Sequence, residues 1–200
     1  LFLYILEPDL WHLPDTSKRQ YDFLYECICD MQQALEALGH TLVIRVGEAQ
    51  EVLASVHAQW GISALYSHQE TWNGWTYKRD RKIRSWARSQ GVVWHETPQH
   101  GVVRLLSKRE GWAARWQQFM QQEPMGWPEH IISLRQDSER LPTSIDLGLA
   151  EDGCVWRQRG GLKSAWSTFH DFATRRGKNY TRAMSSPLSA FSSCSRMSVY

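Results

Sequence analysis

The residues best equipped for chemistry crowd the C-terminal end. Tyr180 precedes Ser185-Ser186-Pro187-Leu188, and Ser192-Ser-Cys-Ser-Arg-Met-Ser198 follows. Hydroxyls beside a helix start, where backbone N–H groups lack partners and the helix dipole is positive, suit a phosphate. Arg196 adds positive charge there. The same cluster also fits a helix cap or an exposed turn. A second set lies in His68-Gln-Glu-Thr-Trp-Asn-Gly-Trp-Thr76. One imidazole, one carboxylate, two amides and two indoles sit within nine residues there. They suit a flat ring with polar edges: Trp72 or Trp75 would stack on it, and Glu70 and Asn73 would read its edge. A capped loop packing its indoles on neighbouring helices uses the same residues.

Other chemistries find no support. There is no Gly-x-Gly-x-x-Gly, no P-loop and no Gly-x-Ser-x-Gly elbow. Cys27, Cys29, Cys154 and Cys194 form no paired Cys-x-x-Cys, and the histidines are scattered. No metal is expected, and the thiols fit reduced cysteines of a cytoplasmic protein. A net charge of +2 does not by itself indicate nucleic acid. From Val155 onward, however, Arg157, Arg159, Lys163, Arg175, Arg176, Lys178, Arg182 and Arg196 face one acid, Asp171. That end suits a phosphate-bearing partner, or equally a solvated basic helix face. The 11 tryptophans fit stacking sites or core anchors. The opening apolar run, Leu1 to Leu6, is too short for a membrane span and lacks a signal peptide's basic lead. It suggests a chain that has lost an upstream segment, and Met197 to Tyr200 does not resemble a natural stop.

The elements around these residues alternate. Leu1–Leu6 predicts a strand buried on both faces. Glu7–Asp15 predicts a loop, and roughly Ser17–Leu38 a helix. That helix is capped by Thr16 or Ser17, carries Leu24, Cys27, Ile28, Met31, Leu35 and Leu38 inward, and stops at Gly39. Strands are expected at Thr41–Val46, Ala64–His68 and Val92–His95, with helices at Ala49–Gln59, Tyr77–Ser89 and Gly111–Gln122. Strands alternating with helices imply βαβ units. The fold class is therefore α/β, a doubly wound parallel sheet with helices on both faces. Its first strand is expected upstream of Leu1. Glu123–Gly153 is punctuated by prolines and predicts a surface connection. A helix over Leu162–Arg176 resumes after Gly160-Gly161, and a short one follows Ser185-Ser186-Pro187.

These pieces resemble the DNA photolyase/cryptochrome family. Leu3-Tyr-Ile-Leu-Glu-Pro8, its loop and its long helix are similar to the second strand and crossover of that family's antenna domain. The stretch from Gly161 to Tyr200 resembles the entry to its flavin domain. It has an amphipathic helix, Arg176-Gly177, Tyr180, Ser185-Ser186-Pro187-Leu188 and Cys194-Ser-Arg-Met-Ser198, where the family usually has Thr-Ser-Arg-Leu-Ser-Pro-Tyr. Two departures stand out: Cys194 in place of threonine weakens one hydroxyl contact, and Val199 in place of proline relaxes a helix start. The His68–Asp80 stretch resembles the loop and helix of one bacterial branch.

The resemblance implies residues 1–122 as antenna domain, 123–160 as interdomain linker and 161–200 as the start of a truncated FAD-binding helical domain. It implies FAD, with Tyr180, Cys194, Ser195, Arg196, Met197 and Ser198 at its phosphates. It also implies a folate-type antenna chromophore (methenyltetrahydrofolate) held by Glu70, Trp72 and Asn73. The function implied is light-driven repair of cyclobutane pyrimidine dimers in damaged DNA; alternatives are a cryptochrome-type photoreceptor without repair and a stand-alone nucleotide-binding α/β domain. The catalytic residues are expected beyond Tyr200, so the 200-residue chain alone is expected neither to repair DNA nor to retain FAD.

Overall fold

The computed structural model describes residues 1–104, 106–123, 125–126, 128, 130–186 and 188–197. Ser198 and Pro187 therefore lie outside the described residues. The chain divides into two compact units. One comprises Leu1–Tyr4, Trp11–Ile44 and Leu134 onward, and the other Ile5–Leu10 and Arg45–Ser133.

The apolar run forms β1 (Phe2–Leu6), which pairs with β2 (Leu42–Val46). Between them the expected loop contains one helical turn, α1 (Pro8–Trp11). Proline fits the first helical position, where its missing N–H would be unsatisfied anyway. The crossover is α2 (Lys18–Ala37), with Ser17 at its N-cap. No side chain caps it; the Ser17 hydroxyl donates to Gln20 Oε1 instead.

The buried line of α2 is Tyr21, Ile28 and Leu35, while Met31 and Leu38, expected inward, are exposed. Tyr21 sets that orientation. Its ring meets the edge of buried Trp11 at 4.9 Å, and its hydroxyl donates to the Pro142 carbonyl at 2.5 Å. The helix closes at Gly39, which takes the left-handed conformation (φ +81°) while the His40 amide returns to Leu35 O.

The stretch expected to lie over the surface is partly built in. The Ile44 amide donates to Ser138 Oγ, Glu139 N donates back to Ile44 O, and Leu141 and Ser144 are buried. Residues 138–139 thus satisfy backbone groups of β2 that a sheet edge would leave open.

In the other unit, β3 (Ala64–His68) and β4 (Val93–Thr97) pair in parallel, with Tyr66 opposite His95. The single continuous sheet expected from the sequence is two pairs of strands among the described residues. α3 (Ala49–Trp60) buries Ala49, Leu53 and Val56. α4 (Gly74–Ser89) buries Thr76, Asp80, Ile83 and Ala87. One sheet face holds Trp94, whose indole N–H donates to Ser67 Oγ and whose ring lies under Arg84. The opposite face carries Tyr66 stacked on His95 at 4.7 Å, with Tyr66 78% exposed. α5 (Trp112–Met120) buries none of its residues.

α6 (Leu162–Thr174) carries the expected apolar stripe, but Leu162, Trp166 and Phe169 are exposed. Its predicted last turn tightens into a 3-10 turn, Arg176–Asn179, followed by α7 (Tyr180–Ala183) and α8 (Ala190–Ser193). Among the described residues no helix is long and apolar enough to cross a membrane, and no cluster of three metal ligands occurs.

Candidate functional site

The β3–α4 loop is held by its own polar groups. Asn73 is the N-cap of α4: its Oδ1 accepts from Trp75 N and Thr76 N, and the Thr76 hydroxyl closes the capping box. The box extends the helix three residues upstream of the expected start. Glu70 Oε1 accepts from Thr71 N and Trp72 N, and Arg104 donates to the Glu70 carbonyl. The polar atoms expected to read a ring edge are thus engaged in the loop itself, while Trp72 presents a half-exposed indole.

Behind this loop runs a chain of charges anchored on two buried carboxylates, Glu7 and Asp80. Glu7 is 5% exposed; one of its oxygens accepts from Ala49 N at the start of α3, and the other from Arg79 at 3.0 Å. Arg79 also grips Asp80, whose second oxygen takes Arg104 at 3.1 Å. Arg104 reaches Glu96, which Arg84 holds from the other side. Burial alone would lower the Arg79 pKa; Asp80 and Glu7 outweigh it and raise it.

The second site lies in the other unit. Tyr180 opens α7 and is half-exposed, its ring edge-on to Phe172 at 5.4 Å. Beyond α8 the chain turns at Arg196, which takes φ +57°, a left-handed conformation uncommon for a residue other than glycine. Three successive carbonyls in this turn accept side-chain bonds. Arg176 donates to Cys194 O and to Ser195 O, and Gln158 Nε2 donates to Arg196 O at 2.7 Å. Asp171 holds Arg176 from behind, an ion pair that keeps the Asp171 carboxyl below its usual range.

Among the described residues the Ser195 and Arg196 amides have no partner; the Met197 amide reaches Ser195 Oγ at 3.4 Å. Successive free amides at a left-handed turn form an anion-binding concavity. The Arg196 guanidinium folds over the Phe191 ring, 4.3 Å from its centroid, and touches Phe191 O. Cys194 contributes a thiol that bonds Phe191 O at 3.6 Å. The structure thus gathers Cys194, Ser195, Arg196 and Met197 in one turn.

Gln158 and Glu26 were not singled out in the sequence. Glu26 on α2 accepts both Arg157 Nη atoms, Arg159 Nη1 and the Gly160 amide. Burial would raise the Glu26 carboxyl, but bonds from Arg157, Gly160 and Arg159 hold it down to about 2. A Cβ at Gly160 would sit 2.3 Å from the Phe23 carbonyl, so only glycine allows this approach. Asp30 then accepts from Leu162 N, and Cys27 Sγ from Gly161 N. The one visible signal was Arg157-Gln-Arg-Gly-Gly161 running into a helix with no side-chain cap of its own. Nearby, a cleft of about 280 Å³ opens between the first turn of α2 and residues 151–159. Its cations are paired, Lys18 with Asp22 and Arg157 with Glu26.

These arrangements define an α/β protein of small parallel sheets with flanking helices, an architecture shared with a solved cryptochrome and solved photolyases. The structure resembles a Synechocystis cryptochrome with a TM-score of 0.67 at 13% identity, covering 90% of this chain and 42% of that one. It resembles a bacterial class III photolyase from Agrobacterium tumefaciens with a TM-score of 0.59 at 15% identity, covering 90% of this chain and 40% of that one. An archaeal photolyase from Sulfolobus tokodaii, solved with two FAD molecules, gives 0.55 at 17% identity, covering 84% of this chain and 39% of that one.

The family model for DNA photolyase matches residues 1–117, and the chain belongs to that family. Over 75 residues it is 33% identical to cryptochrome DASH of Arabidopsis thaliana, covering 34% of this chain and 13% of that protein. Over 89 residues it is 32% identical to a blue-light photoreceptor of the same plant, covering 42% of this chain and 20% of that protein. The chain thus spans at most a fifth of these curated relatives.

Proposed function

We propose that this chain is the light-gathering α/β part of a cyclobutane pyrimidine dimer photolyase, continuing into the first helices of its FAD-holding part. Residues 1–122 would form the antenna domain, 123–160 the connection and 161–200 the flavin-side entry. The observation that carries the reading is the Cys194–Met197 turn. It combines two amides without a partner among the described residues, a hydroxyl and a guanidinium within four residues, the donor set a diphosphate requires. Ser195, Arg196 and Met197 would hold the FAD phosphates, with the Tyr180 hydroxyl as a further donor; Cys194 would contribute through its backbone.

When bound, reduced flavin would supply the photochemical electron for splitting the dimer in damaged DNA, and the protein's part is orientation and electrostatics. The dimer would be flipped from the duplex to reach it. The half-exposed Trp72 would offer a stacking surface for a folate-type chromophore, with Glu70 and Asn73 shaping the loop that presents it.

A cryptochrome-type photoreceptor is the second reading, favoured by the name of the relative matched at 33% identity. Light-dependent splitting of a dimer-bearing oligonucleotide by the complete protein separates the two. Repair under blue light establishes the photolyase. Stoichiometric FAD without repair establishes the photoreceptor, and absence of FAD overturns both.

A further inference from the structure

We propose that Gln158 is a positioning residue for the diphosphate turn, locked in place by Glu26 of α2. This rests on the reading of Cys194–Met197 as a phosphate site. Gln158 has little freedom of its own. Its carbonyl accepts from Arg157 Nη1 at 3.1 Å, and both flanking arginines lie on Glu26. The following amide, Gly160, is fixed to the other Glu26 oxygen at 2.7 Å. A side chain so anchored at its backbone can point one donor at one carbonyl, and that carbonyl belongs to Arg196.

The consequence follows from how a peptide is wired. Each carbonyl in the turn shares a rigid plane with the next residue's N–H. Tying down Cys194 O and Ser195 O through Arg176, and Arg196 O through Gln158, therefore fixes the orientation of the Ser195, Arg196 and Met197 amides. A left-handed Arg196 is disfavoured in a free chain, so the turn needs such external bonds to persist. Preorganised donors bind an anion without an ordering cost at the moment of binding. Helix α2 thereby sets the geometry of a turn more than 160 residues further along the chain.

Arg196 is itself a tryptic site, and cleavage requires the bond to leave its turn. In the 200-residue chain, Gln158→Ala and the isosteric Gln158→Glu both remove the donor. Each speeds cleavage after Arg196 by about tenfold, the effect of losing one part-buried hydrogen bond. Cleavage after Arg88 and the thermal midpoint stay unchanged. The Arg196 carbonyl 13C resonance moves upfield in both variants, a shift that general loosening would not single out. Unchanged cleavage after Arg196 with an unmoved carbonyl resonance overturns the positioning role. Acceleration at every site together with a lowered midpoint overturns it equally. Inorganic pyrophosphate tests the underlying site separately. In the wild-type chain it shields Arg196 from trypsin and shifts the Ser195 and Arg196 amide resonances. If the variants free the turn while pyrophosphate does neither, the clamp stands and the phosphate reading falls.

Discussion

Glu26 gathers four hydrogen bonds on two oxygens, and its titration follows from them. A carboxyl held below its ordinary value adds stability that is fully present above about pH 4.5 and lost as pH falls toward about 2. Glu26→Gln should therefore lower stability at neutral pH and flatten its fall across that window. The difference between the two proteins, followed by tryptophan fluorescence, isolates Glu26 from Asp152 and Asp171, whose carboxyls are also depressed. Asp80 makes a second test. It is shared by Arg79 and Arg104, so Asp80→Ala removes a partner from each and leaves Arg79 to Glu7 and Arg104 to Glu96. Urea unfolding should show a loss of about 2 kcal/mol, the usual worth of hydrogen bonds to a charged group where the remaining carboxylates still compensate both cations.

Elements carry the next lesson. Asn73→Ala removes the α4 cap and should cost about 1 kcal/mol in urea unfolding, whether or not a chromophore is present. Asn73→Asp keeps the accepting oxygen and should retain that stability. The alternation of strands and helices was legible, because apolar runs and one-faced spacing are local patterns. β1, β3, α3 and the body of α2 follow the expected lines. The misses are of a different kind. Met31 and Leu38 obey the helical spacing, yet the face that turns inward is chosen by Tyr21 through Trp11 and Pro142, contacts from outside the helix. Leu141 lies buried in a proline-punctuated stretch, and Ser138 near it, itself exposed, accepts from the Ile44 amide, a partner that no local pattern reveals. At the Cys194–Met197 turn the serines and Arg196 announced themselves by type. Gln158 did not, since its role depends on a carboxylate 132 positions earlier, Glu26, reached only after folding.

At the scale of the molecule, membership in the photolyase family makes the uncovered apolar surfaces informative. On α6, Trp166 is 62% exposed and Phe169 46%, larger apolar side chains than a solvated helix normally shows. Trp166→Ser with Phe169→Ser should reduce self-association in sedimentation velocity while leaving the unfolding free energy in urea within about 0.5 kcal/mol. On the β3–β4 sheet, the Tyr66–His95 stack lies open, whereas the Tyr21 ring is wholly enclosed. That contrast makes the phenol of Tyr66 a reporter. Tetranitromethane should nitrate it early and spare Tyr21, and mass spectrometry of the tryptic peptides would tell the two apart. Whatever comes to rest on that face, be it a strand, a helix or a chromophore, will announce its arrival by silencing the label at a single ring.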